Sequence, residues 1–152
     1  MKFDVLHIAE YGTVNEMKEA IKEGSDINIK DEDEGIVPLM GAIAYDNESI
    51  AKLLLENGAD ASIQDNDGNN ALYYAIEYVM IDIAKIILKK FPKTLHVQNK
   101  YGDTILWKAL MKAEIPLDFI KILLDKGADK ESAIDLVKSY DIKEINDLFK
   151  KY

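Results

Sequence analysis

The chain repeats itself with a period of 33 to 34 residues, and that period restricts the fold more than any local pattern does. Gly35, Gly68 and Gly102 are 33 and 34 apart, and Leu6, Leu39, Leu72 and Leu106 are 33, 33 and 34 apart. Three residues after each of these leucines stands an alanine: Ala9, Ala42, Ala75 and Ala109. A second series follows in each unit: Gly24-Ser25-Asp26, Gly58-Ala59-Asp60, the deviant Phe91-Pro92-Lys93, and Gly127-Ala128-Asp129. Upstream of each lies an apolar stretch, as in Leu53-Leu54-Leu55 and Ile122-Leu123-Leu124. This period points to a solenoid of helix pairs, each burying its apolar face on its neighbours.

Within a unit the pattern is helix, short turn, helix, then a glycine-ended loop. Asn47-Glu48-Ser49 reads as a helix start, and Ile50, Leu53 and Leu54 form the i, i+3, i+4 stripe of a buried face. Gly58 supplies the left-handed residue that ends that helix. Asp65-Asn66-Asp67-Gly68 is turn chemistry.

Here the residues resemble a family, the ankyrin repeat, whose unit reads roughly D-x-x-G-x-T-P-L-H-x-A-A, a second helix ending L-L, then G-A-D. Pro38-Leu39 with Gly35, and Thr104-Ile105-Leu106 with Gly102, match the first part. Leu53-Leu54-Leu55-Glu56-Asn57-Gly58-Ala59-Asp60 matches the second. The resemblance covers nearly the whole chain and implies an all-α fold, an ankyrin-type solenoid of helix–turn–helix repeats with short connecting hairpin loops. The expected organisation is one domain over 1–152, with units at about 1–30, 31–64, 65–98 and 99–130 and a capping helix pair at 131–152. Unit 1 lacks the hairpin before Leu6, unit 3 departs at Phe91-Pro92-Lys93, and unit 4 has extra residues around Glu114-Ile115-Pro116-Leu117.

The composition removes several kinds of chemistry. There is no cysteine, which excludes disulfides, thiolate metal sites and cysteine nucleophiles. The two histidines stand far apart. His7 fills the histidine place of the family motif, where a hydrogen bond to the adjacent turn is expected, and His96 is expected to be solvated. Asp65 to Gly68 and Glu32 to Gly35 fail the twelve-residue calcium pattern, because Ile63 and Tyr74, or Lys30 and Gly41, occupy the required places. No phosphate-cradling glycine loop is present. No cofactor and no metal are therefore expected, and the chain reads as a non-enzyme. Its 19 cations are all lysine against 28 acids, a net charge of −9, which argues against nucleic acid as a partner. No apolar run reaches membrane-spanning length, and Met1-Lys2-Phe3-Asp4 carries no apolar leader, so the expected compartment is the cytoplasm.

In a solenoid of helix pairs the first helices line the concave side and the loops project beside them. The resemblance implies that a partner protein binds across these surfaces. The loop-tip candidates are Asp33, Glu34 and Ile36, then Asn66, Asp67 and Asn69, then Lys100, Tyr101 and Asp103. Tyr11, Tyr45 and Tyr78 fall at equivalent helix ends, 34 and 33 apart, with Lys112 at that place in unit 4 and Ala44, Glu77 and Met111 beside them. Tyrosine offers a large contact area with few rotatable bonds, and lysine or arginine of a partner would lie over such rings; the other reading of these tyrosines is that they cover the seam between repeats. Tyr73, Trp107 and Met40 read as packing residues. Residues 31–64 hold one lysine against eight acids, so most of the negative charge sits in unit 2. These features together predict a protein-binding module that is monomeric when unbound and takes a partner with a basic patch. The alternative is an immunity-type inhibitor that occludes the active site of a basic toxin or nuclease.

Overall fold

A computed structural model describes residues 3–152. Met1 and Lys2, the first half of the segment read for a leader, lie outside them. Ten α-helices occur among the described residues, in five successive pairs: α1 (Val5–Tyr11) with α2 (Val14–Lys22), α3 (Pro38–Ala44) with α4 (Glu48–Glu56), α5 (Ala71–Glu77) with α6 (Ile81–Lys90), α7 (Ile105–Met111) with α8 (Leu117–Asp125), and α9 (Ile134–Tyr140) with α10 (Lys143–Lys151). Each first helix has seven residues and each second helix nine or ten. The expected all-α solenoid is what forms.

The periodic residues do the stacking. Ala9, Ala42, Ala75 and Ala109 are all fully buried, and α1 packs on α3, α3 on α5, and α5 on α7. A methyl side chain at each contact lets neighbouring first helices approach closely, as a larger residue would not. Leu39, Leu72 and Leu106 are buried beside them, whereas Leu6, in the first pair, is half-buried. The second helices supply the other core layer: Ile50, Leu54, Ile83, Ile87, Phe119 and Leu123 are almost fully enclosed.

Helix starts follow local chemistry. Side chains of Asp4, Asn70 and Thr104 accept the backbone N–H of the residue three places on, and α3 instead begins with Pro38 in its first turn. α4 starts where Asn47-Glu48-Ser49 is expected to start it, but the Asn47 side chain is used elsewhere. Asn47 precedes α4 but does not cap it; its amide donates to the carbonyls of Ala9 (2.9 Å) and Glu10 (2.6 Å) in the preceding pair. Those carbonyls belong to the last turn of α1, which leaves them without partners within the helix.

Unit 3 closes differently from its neighbours. In place of a glycine end, Pro92–His96 forms a 3-10 turn whose Thr94 and Leu95 are buried, and Asn70 donates its side-chain amide to the Thr94 carbonyl at 2.9 Å. His96 is exposed, as expected. His7 is also exposed; its ring lies 5.2 Å from the Tyr11 ring, and no side-chain hydrogen bond to the adjacent turn forms among the described residues. The reason is that the turn is already held by the Asp4 carboxylate, which accepts from the His7 backbone N–H at 3.0 Å.

Candidate functional site

The hairpins are built on three polar residues 34 apart: Asp31, Asp65 and Asn99. The Asp31 carboxylate accepts the backbone N–H groups of Asp33, Glu34, Gly35 and Ile36. Asp65 accepts from the N–H groups of Asp67 and Asn69 and from the Tyr74 hydroxyl. Asn99 accepts from Tyr101 and Asp103. Partial burial pushes the Asp31 carboxyl up, but the four N–H donors outweigh it and hold it below the ordinary range. Successive hairpins are joined through the main chain, Asn66 N–H to the Glu34 carbonyl (2.8 Å) and Lys100 N–H to the Asp67 carbonyl (2.9 Å). Gly68 turns with φ +86, and a Cβ there would sit 3.3 Å from the Asn99 Cα of the next hairpin.

These bonds divide the predicted contact residues. Asp33, Glu34, Asn66, Asp67, Lys100 and Tyr101 are exposed at the tips. Ile36, Asn69 and Asp103 are half-buried. Ile36 packs on the core, Asn69 bonds Asp65 and Asn99, and Asp103 accepts from Tyr73 and Asn99. The charges divide as well. Asp67 accepts the Tyr101 hydroxyl at 3.1 Å and has Lys100 at 4.0 Å. Asp33 and Glu34 have no ion-pair partner among the described residues.

The helix ends hold the second group. Tyr11 and Tyr45 meet edge to face with ring centres 4.8 Å apart, and both are exposed. The Tyr45 side chain pushes the Tyr11 hydroxyl up to about 12. Tyr78 stacks instead on Tyr74 of its own turn, at 6.4 Å. Glu77 is not an available anion: it pairs with Lys108 and, at 3.3 Å, with Lys112 of the next repeat. Burial raises the Glu77 carboxyl, and the two ammonium groups overcome this and hold it below the ordinary glutamate range. Lys108 also lies over the Tyr73 ring, 5.0 Å from its centre. Lys112 is thus turned inward, and the exposed side chain at this place in the fourth pair is Met111. Tyrosine 45 and the hairpin of its unit lie at opposite ends of the seven-residue α3, about 10 Å. The rings and the hairpin carboxylates are therefore two separate surfaces.

Among the described residues no group of three or more histidines or acids is placed to hold a metal ion, and no helix is long and apolar enough to cross a membrane. The arrangement offers contact area, charge and rigidity.

Comparison with known proteins agrees with this geometry. The family description of ankyrin repeats, in three copies, matches residues 5–95. A putative ankyrin repeat protein, L371, of Acanthamoeba polyphaga mimivirus is 39% identical over 105 residues, covering 68% of this chain and 13% of the relative. The phosphocholine transferase AnkX of Legionella pneumophila is 30% identical over 121 residues, 77% of this chain and 12% of the relative. Neurogenic locus notch homolog protein 1 of Mus musculus is 29% identical over 120 residues, 78% of this chain and 5% of the relative. The chain thus spans a small part of the length of each, and the match lies in the repeats. Ankyrin repeats generally mediate protein–protein interaction through the extended surface of the stack. With the family's repeats matched over more than half of its length, the chain belongs to the ankyrin-repeat family.

Proposed function

We propose that the chain is a non-enzymatic binding module of the cytoplasm, without metal or cofactor, that holds a partner protein carrying a basic patch. The observation that carries this reading is the hairpin of the second unit. Asp33 and Glu34 project with their charge uncompensated, while in the next unit Asp67 has Lys100 beside it and Glu77 is paired with Lys108 and Lys112. Localised negative charge speeds the encounter with a basic partner and fixes its orientation. Exposed tyrosines one helix length away add contact area. The hairpins and helices are preformed, so binding costs little ordering entropy.

The test is capture of partners from lysate of the source cell by the wild-type chain and by an Asp33→Lys, Glu34→Lys variant, with circular dichroism showing that both fold. The expected result is a basic protein retained by the wild type, lost by the variant, and released as salt shortens the screening length from about 10 Å toward 3 Å. Equal capture by both would remove the hairpin from the interface. The narrower reading, an inhibitor that occludes a basic toxin or nuclease, adds the demand that the captured protein lose its activity on binding.

A further inference from the structure

Exposed large apolar side chains are concentrated on one edge of the stack. Tyr11, Tyr45, Tyr78, Met111 and Tyr140 stand at the same place, the end of the first helix, in five successive pairs, and each is between 43% and 60% exposed. Leu117, the first residue of α8, and Ile142, directly before α10, are also exposed just beyond. Of the exposed large apolar residues among those described, only Ile29 and Tyr101 lie elsewhere. Two pairs of neighbouring rungs touch: the Tyr11 and Tyr45 rings meet, and the Tyr140 hydroxyl donates to the Met111 sulfur at 3.3 Å. Side-by-side packing of the first helices keeps the remaining rungs level.

The backbone sets this edge in a recurring way. Asp46, Val79 and Asp141, each directly after a tyrosine of the series, have φ of 62, 58 and 46. A left-handed residue ends the helix there and leaves the tyrosine at its rim. Aspartate tolerates that conformation; a β-branched valine does so at a cost of about 1–3 kcal/mol. Such an edge is an exposed apolar strip of the sort that marks an interaction surface. Its border is acidic, with Asp46, Glu114 and Asp141 exposed, while Lys112 is turned in on Glu77.

We propose that this ladder of helix ends is the docking strip for a basic amphipathic helix of the partner. The proposal rests on the reading above and names the form of the partner. Packed helices lie about 8–10 Å apart, which sets the spacing of the helix ends that carry the rungs, while the Tyr11 and Tyr45 rings lean together to 4.8 Å and act as one rung. An α-helix rises about 10.5 Å in seven residues, so apolar side chains at i, i+7, i+14 and i+21 meet successive rungs. That stripe drifts by about 20° per seven residues, and apolar neighbours at i+3 and i+4 keep the contact. A β-strand covers about 10 Å in three residues, but every third side chain alternates faces, so a strand fits the ladder poorly. Lysines flanking the stripe meet Asp46, Glu114 and Asp141. The same acids repel an anionic lipid surface.

The probe is a synthetic helical peptide of about 29 residues, with leucines in a seven-residue stripe and lysines beside them. A control peptide has the same composition with the leucines spread around the helix. Binding is read by fluorescence anisotropy. We expect the striped peptide to bind roughly tenfold tighter than the control, and a Tyr45→Ser, Tyr78→Ser variant to lose that advantage while still binding the control. Met111→Ser, in a different pair, is expected to weaken the striped peptide alone, and serves if the double variant melts early. Equal affinity for the two peptides, or indifference to the rung substitutions, overturns the ladder. If the Asp33→Lys, Glu34→Lys variant then weakens both peptides alike, the basic-partner reading stands without it. Absence of binding by either peptide overturns both.

Discussion

Single residues in this chain do more cross-repeat work than their neighbours in sequence suggest. Asn47 closes the open carbonyls of α1 from 37 and 38 residues away. Asn47→Ala leaves those acceptors short of donors, and we expect a loss of about 1–2 kcal/mol, read from urea unfolding. A sequence pattern cannot separate that role from a local cap, because the acceptors are brought near only by stacking. Asp31 is the acid-sensitive point of its hairpin. Its pKa is lowered by the N–H groups it accepts, so its contribution to stability is present above the unfolded value of 3.8 and fades as pH falls through the lower folded value. Asp31→Asn keeps an acceptor without the charge, and its stability is expected to fall less than that of the wild type between about pH 5 and 3. Equal acid sensitivity of the two would place the titration elsewhere. Tyr11 offers a spectroscopic check of the ring pair. Its hydroxyl is expected to titrate near 12 and to move back toward the ordinary value in Tyr45→Phe.

At the scale of the elements, the hairpin is the unit whose geometry leaves least room for substitution. Gly68→Ala meets a positive φ and a close Asn99 backbone at once, and we expect a cost of about 1–2 kcal/mol in thermal or urea unfolding. The period made these positions legible: leucine, alanine and glycine series mark the two core layers and the turn, because each is required once per unit for the same packing reason. What departs from the period was not legible. Tyr140 follows Met111 by 29 residues rather than 33 or 34, so spacing alone did not place it in the row. In the fourth pair spacing selects Lys112, but that pair has no left-handed residue after its first helix; Lys112 has φ −104 and ψ 108. The exposed place therefore falls one residue earlier, on Met111. Spacing places Glu77 beside the tyrosine row but is silent on its pairing, because its two cations come from the next unit, 31 and 35 residues on.

Over the whole molecule, stability is shared between neighbours, so the ends of the stack are held by fewer contacts than the middle. α9 and α10 contribute only Val137 and Phe149 as buried residues, against six from α3 and four each from α4, α5 and α6. Hydrogen exchange is expected to be slowest in α3 to α6 and fastest in α9 and α10, with α9 opening before the stack as a whole. Uniform protection would mean that the last pair is coupled more strongly than its burial indicates. The joints between consecutive hairpins have a different consequence. Two of them run from main-chain N–H to main-chain carbonyl, at Asn66 to Glu34 and Lys100 to Asp67, and these persist whichever side chains the tips carry, unlike the bonds of the Asn66 amide to the Asp33 carbonyl and of the Tyr101 hydroxyl to Asp67. Assembly and recognition are thereby written in alphabets that only partly overlap. A lineage can rewrite what its tips say to a target, letter by letter, and the part of the grammar carried by the main chain is left unchanged.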